Sequence, residues 1–371
     1  MIMKKLVFLC LTVFIAAMAA GQYPAGKFAY KHMKGSLGDQ EAIFDLIIFN
    51  DNINGNAVFP GLMTDEVPYT NMIAGERLQG TLDKHGVADI EAYAGNLKSG
   101  EYSGLLGEAF KGTFREQKNG KAQSFSLAED YSESIAFTGY SLYRDTLLLD
   151  TVDAPHAQLE LSVLLPEQSD SFPFIREAIL DAFFSMDTLH NLPDDAVLES
   201  YCKNYFGKYI DANIDIYDGG YAFNWEMQGS SYISMNRNGL LVYRSDNYAY
   251  SGGAHGMGIS RFLVFDTGKK KQLSLEELFV EGFEAELVLL LEKEYRSRYF
   301  LGEDESLTDA GLFDEHIYPS PNFFLTSNSI GFFYNPYELA PYSMGSISIS
   351  LYKSDIRHLL REDAAVKRLG W

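Results

Sequence analysis

Short runs in which apolar and polar residues alternate dominate the first part of the chain. The run AIFDLIIF is followed by NDNINGN and then by a second apolar run, AVF. The Asn54-Gly55 dipeptide is typical of a tight turn, so this segment predicts a β-hairpin. A triplet of glycine, polar and apolar residues recurs without an intervening helical pattern, at residues 35–37, 80–82 and 112–114. We predict an antiparallel β-meander whose glycines mark bulges or strand bends.

Beyond residue 131 the pattern changes to strands mixed with helices. FPFIREAILDAFFSMD and FEAELVLLLEKEYRSRYF carry apolar residues at helical spacing. Asp194 or Asp195 is expected to cap another helix through VLESYCKNYFGKYI, and Ser274 with Glu277 has capping-box spacing. Strands alternate with these helices, and a last helix is expected near residues 354–362. The mixture predicts an α+β class, with an antiparallel sheet packed against helices.

The N-terminus predicts export. Lys4 and Lys5 precede the apolar run LVFLCLTVFIAAMA, which ends in small residues, as in a cleavable signal peptide. The run is shorter than a bilayer needs, so no membrane span is expected after cleavage. We therefore divide the chain into a signal peptide, a β-rich N-terminal domain, an α+β domain and a C-terminal tail, at residues 1–21, 22–131, 132–360 and 361–371.

The charge and the cysteine count limit the classes of partner and of stabilising bond. The formal net charge is −21, and loss of Lys4 and Lys5 makes it −23. Such a charge disfavours nucleic acid and anionic membranes, and it favours encounter with a cationic protein, although solubility alone also explains it. Cys202 is the only cysteine beyond the signal peptide, so no intramolecular disulfide is expected, and a buried small hydrophobe is the simplest role for it.

Known catalytic and cofactor motifs are missing from the sequence. The seven histidines lie more than 30 residues apart, so a helical pair of metal-binding histidines is excluded. No nucleophile elbow, phosphate-binding loop or dinucleotide fingerprint is present. We expect no cofactor and no metal site, and the sequence leaves open whether the protein is an enzyme, with the balance against it.

Two loops hold the candidate site. In DNYAYSGGAHGMG, glycines surround His255, and NPYELAPYSMG sets tyrosines in a proline-rich frame. His255 could brace its own loop, contact a partner, or act as a general base with Glu338. Rigidly held tyrosines suit recognition because they offer contact area at low entropic cost. The candidate binding residues are Tyr248, Tyr250, Gly252, Gly253, His255, Asn335, Tyr337, Glu338 and Tyr342.

These loops, YSGGAHG followed by FFLTSNSIGFFYNPYELAPYSMGSISISL, resemble the RsiV-like family of exported bacterial domains. The likeness extends over residues 132–355 and includes the DTGK turn and LSLEELF. It implies an α+β envelope domain with a binding role and without established catalysis. The best understood member is the extracytoplasmic part of an anti-sigma factor that binds lysozyme. This chain departs from that sensor because it has a signal peptide in place of a membrane helix.

Together, these features predict a periplasmic or secreted binding protein. The expected partner is a cationic protein such as lysozyme, or cell-wall glycan, bound through the two loops. The alternative is an envelope hydrolase that uses His255 and Glu338, and a third reading is a purely structural envelope component. The first two readings differ in whether those side chains meet in an open cleft.

Overall fold

The computed structural model of the chain describes residues 28–60, 75–151, 153–167, 169–219 and 223–371. The predicted signal peptide at residues 1–21 lies outside the described residues. The protein is mostly β, with 44% of residues in strands and 22% in helices, so the predicted α+β mixture is weighted towards sheet. Within the described part of the chain, no helix combines the length and the apolar character needed to cross a membrane.

The first eight strands form an antiparallel meander that closes on itself. They are β1 Phe28–Leu37, β2 Gln40–Phe49, β3 Asn52–Val58, β4 Glu76–Leu82, β5 Val87–Ala94, β6 Leu97–Leu106, β7 Ala109–Glu116 and β8 Ala122–Glu129. Each strand pairs with the next, and β1 also pairs with β8, from Met33 opposite Glu129 to Leu37 opposite Phe125. The predicted meander is therefore a barrel-like sheet.

Aromatic side chains fill the interior of this closed sheet. Tyr102 lies 5.0 Å from Phe44 and 4.4 Å from Phe114 between ring centroids, and Phe110 lies 4.6 Å from Phe125. Phe44, Tyr102 and Phe110 have no measurable exposure. The interior is a packed core because alternate residues of every strand point into it.

The glycines of the meander allow strands to approach closely. A Cβ on Gly35, Gly80 or Gly112 would lie 2.0 to 2.1 Å from a carbonyl oxygen of the neighbouring strand. None of the three lies at a break in the strand register, so the bulge interpretation is wrong for them. The predicted turn at Asn54-Gly55 is also misplaced. The chain turns at Asn50, which has a φ of 55°, and Gly55 lies inside β3.

The second part of the protein is built on six further strands, which form a mixed sheet and continue the sheet of the first part where Thr138 pairs with Ala29 of β1. Its strands are β9 Phe137–Leu147, β10 His156–Pro166, β11 Trp225–Arg237, β12 Leu240–Tyr250, β13 Met257–Asp266 and β14 Lys271–Gln272. The sheet is antiparallel except that β10 and β11 run parallel, joined through two helices. The expectation of an antiparallel sheet is wrong at this point, because the helical crossover returns the chain in the same direction.

Layers cover both faces of this sheet. The helices α1 Pro173–Phe183 and α2 Asp194–Asn213 lie on one face, over Leu159, Leu161 and Val163. The other face packs through Val242, Phe262 and Val264 against a third helix and a small sheet. That layer consists of α3 Glu284–Tyr299, β15 Phe323–Leu325, β16 Ser329–Tyr334 and β17 Ile347–Tyr352.

Several local predictions need correction. Pro193 is the N-cap of α2, and the Asp194 carboxylate instead accepts a hydrogen bond of 2.6 Å from the buried Arg176. The last predicted helix is reduced to α4 Lys353–Ile356 and a following 3-10 turn. The segment separated as a tail packs into the core, with Trp371 only 5% exposed. Cys202 is buried as expected, and burial raises the pKa of its thiol to about 11.

A buried polar cluster joins the closed sheet to the second part. Asp45 accepts hydrogen bonds from Tyr30 Oη at 2.5 Å and from His32 Nδ1 at 2.7 Å. Asn236 of β11 donates to Tyr30 Oη at 3.0 Å. Burial and the Asp45 charge raise the pKa of Tyr30 well above its usual value, so Tyr30 stays a neutral donor.

Candidate functional site

The glycine loop, residues 251–256, connects β12 to β13 and is held by tyrosines. Gly252 and Gly253 have φ values of 98° and 97°, a region that L side chains rarely adopt. The Tyr250 hydroxyl donates a hydrogen bond of 3.0 Å to the Gly253 carbonyl. The two glycines therefore make the turn, and Tyr250, a predicted binding residue, braces it.

Gly256 is required for a different reason. A Cβ at this position would lie 2.3 Å from Tyr248 Oη and 2.4 Å from the ring carbon that bears it. The ring of Tyr248 thus crosses the loop where only a glycine leaves room for it. Burial, followed by the nearby Glu226, raises the pKa of Tyr248 above its usual value. Tyr248 therefore remains a neutral side chain packed under the loop.

The proline loop, residues 335–345, is aligned with β13 by one asparagine. Asn335 is 7% exposed; its side-chain oxygen accepts from the Ser260 backbone at 2.7 Å and its amide donates to the Ser260 carbonyl at 3.1 Å. The Glu338 carboxylate accepts from the Asn335 backbone at 2.7 Å and from its side-chain amide at 3.3 Å. Asn335 and Glu338 thus position the loop beside the edge of the larger sheet.

The two loops meet in an exposed stack of rings, which we call the aromatic ridge: His255, Tyr342 and Tyr337. The rings of His255 and Tyr342 are 4.0 Å apart with an interplanar angle of 20°, and Tyr337 lies 5.8 Å from Tyr342. The Tyr342 hydroxyl also donates a hydrogen bond of 3.1 Å to the Gly256 carbonyl. His255 and Tyr337 are exposed, so the ridge presents aromatic surface to solvent.

Tyr337 is held in a strained backbone conformation. Its φ is 72°, and its backbone N–H donates to the Ala340 carbonyl at 3.0 Å. The left-handed region costs an ordinary residue roughly 1–2 kcal/mol, and glycine adopts it without that penalty. The side chain is nevertheless 49% exposed, so packing does not account for a tyrosine at this position.

The two members of the suggested catalytic pair have different hydrogen-bond partners. His255 Nδ1 donates a hydrogen bond of 2.9 Å to the Gly256 carbonyl, and the Glu338 carboxylate accepts a hydrogen bond from the Asn335 backbone. Neither a hydrogen bond nor an ion pair joins His255 to Glu338 among the described residues. In the same part of the chain, no group of three histidine, cysteine or acidic side chains could hold a metal ion.

Sequence reasoning missed a set of polar side chains next to these loops. They lie on β9, β10 and β11, where those of β10 and β11 alternate with buried residues, and on the sheet face that α1 and α2 leave free. We call this set the polar platform: Tyr143, Asp145, Gln158, Glu160, Glu226 and Gln228. The alternation in HAQLELS and WEMQGSS was the available signal, but the register that aligns these strands cannot be read from either segment alone.

Comparison with known proteins finds a family match for part of the chain. The model of DUF3298, described as a protein of unknown function, matches residues 276–354, so the chain carries a DUF3298 domain there. That segment includes the proline loop but not the glycine loop. No curated protein matches the chain. The RsiV-like assignment is not confirmed by these matches.

Two solved structures add to this picture. A crystal structure of a DUF3298 family member from Bacteroides fragilis matches with a TM-score of 0.59 and 22% sequence identity, over 64% of this chain and 99% of that chain. A DUF3298 family protein from Pseudomonas aeruginosa has a TM-score of 0.44 and 20% identity, over 62% of this chain and 96% of that chain. The Bacteroides match supports a shared fold and says nothing of a shared function.

Proposed function

We propose that the protein is an exported binding protein and that the aromatic ridge contacts its partner. The observation that carries the proposal is Tyr337, a half-exposed aromatic residue kept at a φ of 72°. Strain of this kind persists where the surroundings enforce it, and it is concentrated at functional sites. A rigid ring on the surface suits recognition, because little conformational entropy is lost on binding.

The arrangement of the other predicted residues supports the same role. Tyr248, Tyr250, Asn335 and Glu338 hold the two loops in place, so the ridge is organised before any partner arrives. Such preorganisation lowers the cost of association. The ridge residues then make the contact, and the remaining candidates act as positioning residues.

A lysozyme-like cationic protein in the periplasm or outside the cell is our leading candidate for the partner. The net charge of −21 favours encounter with a basic protein, and the two loops resemble the RsiV-like family. Cell-wall glycan is the other candidate, because sugar rings also stack on exposed tyrosines. A hydrolase that uses His255 and Glu338 gains no support from the site, since each side chain is engaged elsewhere.

The experiment is a calorimetric titration of the purified protein with a cationic lysozyme and with soluble cell-wall fragments, each at two salt concentrations. Tyr342→Ala removes the central ring of the ridge, and Tyr342→Phe keeps the ring while removing the hydrogen bond to Gly256. We expect lysozyme binding that weakens with salt, falls at least about tenfold in Tyr342→Ala and is largely retained in Tyr342→Phe.

A folded Tyr342→Ala protein that binds as tightly as the parent would remove the ridge from the proposal. Heat released only with cell-wall fragments would identify glycan as the partner. Absence of binding to either probe would contradict a recognition role for these two partner classes. Thermal unfolding of each variant shows whether a loss of binding reflects a loss of the fold.

A further inference from the structure

The polar platform lies on a part of a sheet face that the described helices and strands leave partly open, whereas another part of that face is covered. Val242 and Phe262 of this face lie beneath α3 and the small sheet. On β9, β10 and β11 the side chains of the same face become polar towards the opposite end of the sheet, and they stay at least partly exposed. The platform therefore begins where the covering layer ends.

The strand register arranges the platform in cross-strand rows. One row runs from Asp145 through Gln158 and Glu226 to Tyr250, and the next runs from Tyr143 through Glu160 and Gln228 to Tyr248. Neighbours within a row lie about 5 Å apart across strands, so these side chains form one continuous surface. Tyr248 also packs against Gly256, so this surface is continuous with the loops of the aromatic ridge.

The charge on the platform is not balanced. Asp145, Glu160 and Glu226 make no ion pair among the described residues. Glu226 accepts a hydrogen bond of 2.7 Å from the neutral side-chain amide of Gln228. Arg244, which lies opposite Tyr232 further along the same face, is already held by Asp246 at 2.7 Å. Burial, and then the charge of Glu226, raise the pKa of Glu160 above its ordinary value.

We propose that the polar platform receives an arginine or lysine side chain from a basic protein segment, with the carboxylates of Glu160 and Glu226 as its ion partners. The inference rests on the proposed function, since the platform extends the surface that begins at the aromatic ridge. Charge complementarity selects this occupant, because a cation neutralises carboxylates that the fold leaves unpaired. Tyrosine rings at both ends of the row through Glu160 offer faces on which a guanidinium can stack.

The test uses a hexa-arginine peptide, a hexa-serine peptide and a neutral chitin oligosaccharide, each titrated against the protein at low and at physiological salt. The test variant is Glu160→Gln with Glu226→Gln, which keeps shape and removes two charges. The matched control is Glu177→Gln with Asp181→Asn, which removes two charges from α1, on the opposite side of the sheet. The control separates binding at the platform from attraction by the net charge.

We expect the hexa-arginine affinity to fall about tenfold or more in the platform variant and less than about threefold in the control. Equal losses in the two variants would overturn the proposal, because attraction would then come from the whole protein. If the oligosaccharide binds in a way that depends on Glu160 and Glu226, and the peptide does not bind, the proposal is overturned and the occupant of the platform is a glycan. The two claims can fail separately. If the platform variant loses peptide binding while Tyr342→Ala keeps lysozyme binding, this inference stands and the role of the aromatic ridge in the proposed function fails.

Discussion

His32 and His255 show the same residue in opposite settings. His32 is completely buried and shares a 2.7 Å hydrogen bond with Asp45, whereas His255 is exposed and stacks on Tyr342. A reader of the sequence notices His255, because glycines surround it, and passes over His32 in the middle of a strand. In the structure it is His32, and not His255, that has a carboxylate partner.

The difference shows that strand register, more than local composition, brings polar side chains together. His32 and Asp45 lie directly opposite each other in the pairing of β1 with β2. His255 and Glu338 lie in loops whose approach is set by Asn335 and Ser260, and that approach leaves the two side chains with different partners. We therefore assign His32 to the stability of the fold and His255 to its surface chemistry.

The largest expected effect is at the buried histidine. Asp45→Ala leaves His32 and Tyr30 without their shared acceptor inside the protein, and removal of one partner from such a buried pair costs about 3–5 kcal/mol. Urea denaturation should show this loss of unfolding free energy. Asp39→Ala, at an exposed turn between β1 and β2, is the control and should change stability by less than about 0.5 kcal/mol. Similar values for the two variants would contradict the role given to Asp45.

The close approach of neighbouring strands in the first sheet can be tested at its glycines. Gly112→Ala places a Cβ 2.0 Å from the Ser103 carbonyl, so the strands must shift apart at a cost of about 1–3 kcal/mol. Gly107→Ala introduces the same methyl group where nothing lies within 4 Å. The urea midpoint of Gly112→Ala should therefore lie below that of Gly107→Ala. A stability loss no larger for Gly112→Ala than for Gly107→Ala would show that close approach is not the reason for the glycine.

The exposed histidine should matter little for stability. His255→Ala removes one ring from the stack with Tyr342, an interaction worth about 0.5–1.5 kcal/mol at most. His32→Ala is the comparison. Its unfolding free energy should fall by several times the loss in His255→Ala, because a buried hydrogen bond and a packed ring are both lost. An equal or larger loss for His255→Ala would make His255 a structural brace.

The smallest expected effect on stability is that of Glu160→Gln, and its size depends on pH. Because burial raises the pKa of this carboxyl in the folded protein, its ionisation destabilises the fold. The penalty is fully present above the raised pKa and disappears as the pH falls below 4.5, the ordinary value. Glu160→Gln should therefore raise the melting temperature at pH 7 and leave it nearly unchanged at pH 3. A gain of the same size at both pH values would exclude the ionisation as the cause.

Part of this fold could be read from the sequence. The apolar run AIFDLIIF and the turn residues that follow it predict the hairpin of β2 and β3, and the spacing in FEAELVLLLEKEYRSRYF predicts α3. The parallel pairing of β10 with β11 could not be read, because a buried strand carries no sign of its direction. The composition of the two loops indicated the candidate site. Which of its residues brace and which are exposed depended on contacts between distant segments, such as Tyr248 with Gly256.

The central claim, that the aromatic ridge is kept for recognition at some cost in stability, is tested most directly by Tyr337→Gly. Glycine accepts the φ of 72° without strain, and the lost side chain is half exposed. Relief of roughly 1–2 kcal/mol of strain offsets the roughly 0.5–1 kcal/mol of backbone entropy that glycine loses on folding. Our account therefore predicts that the unfolding free energy does not fall, while binding of a cationic lysozyme weakens at least about tenfold. A less stable protein, or one that binds as tightly as the parent, would contradict it.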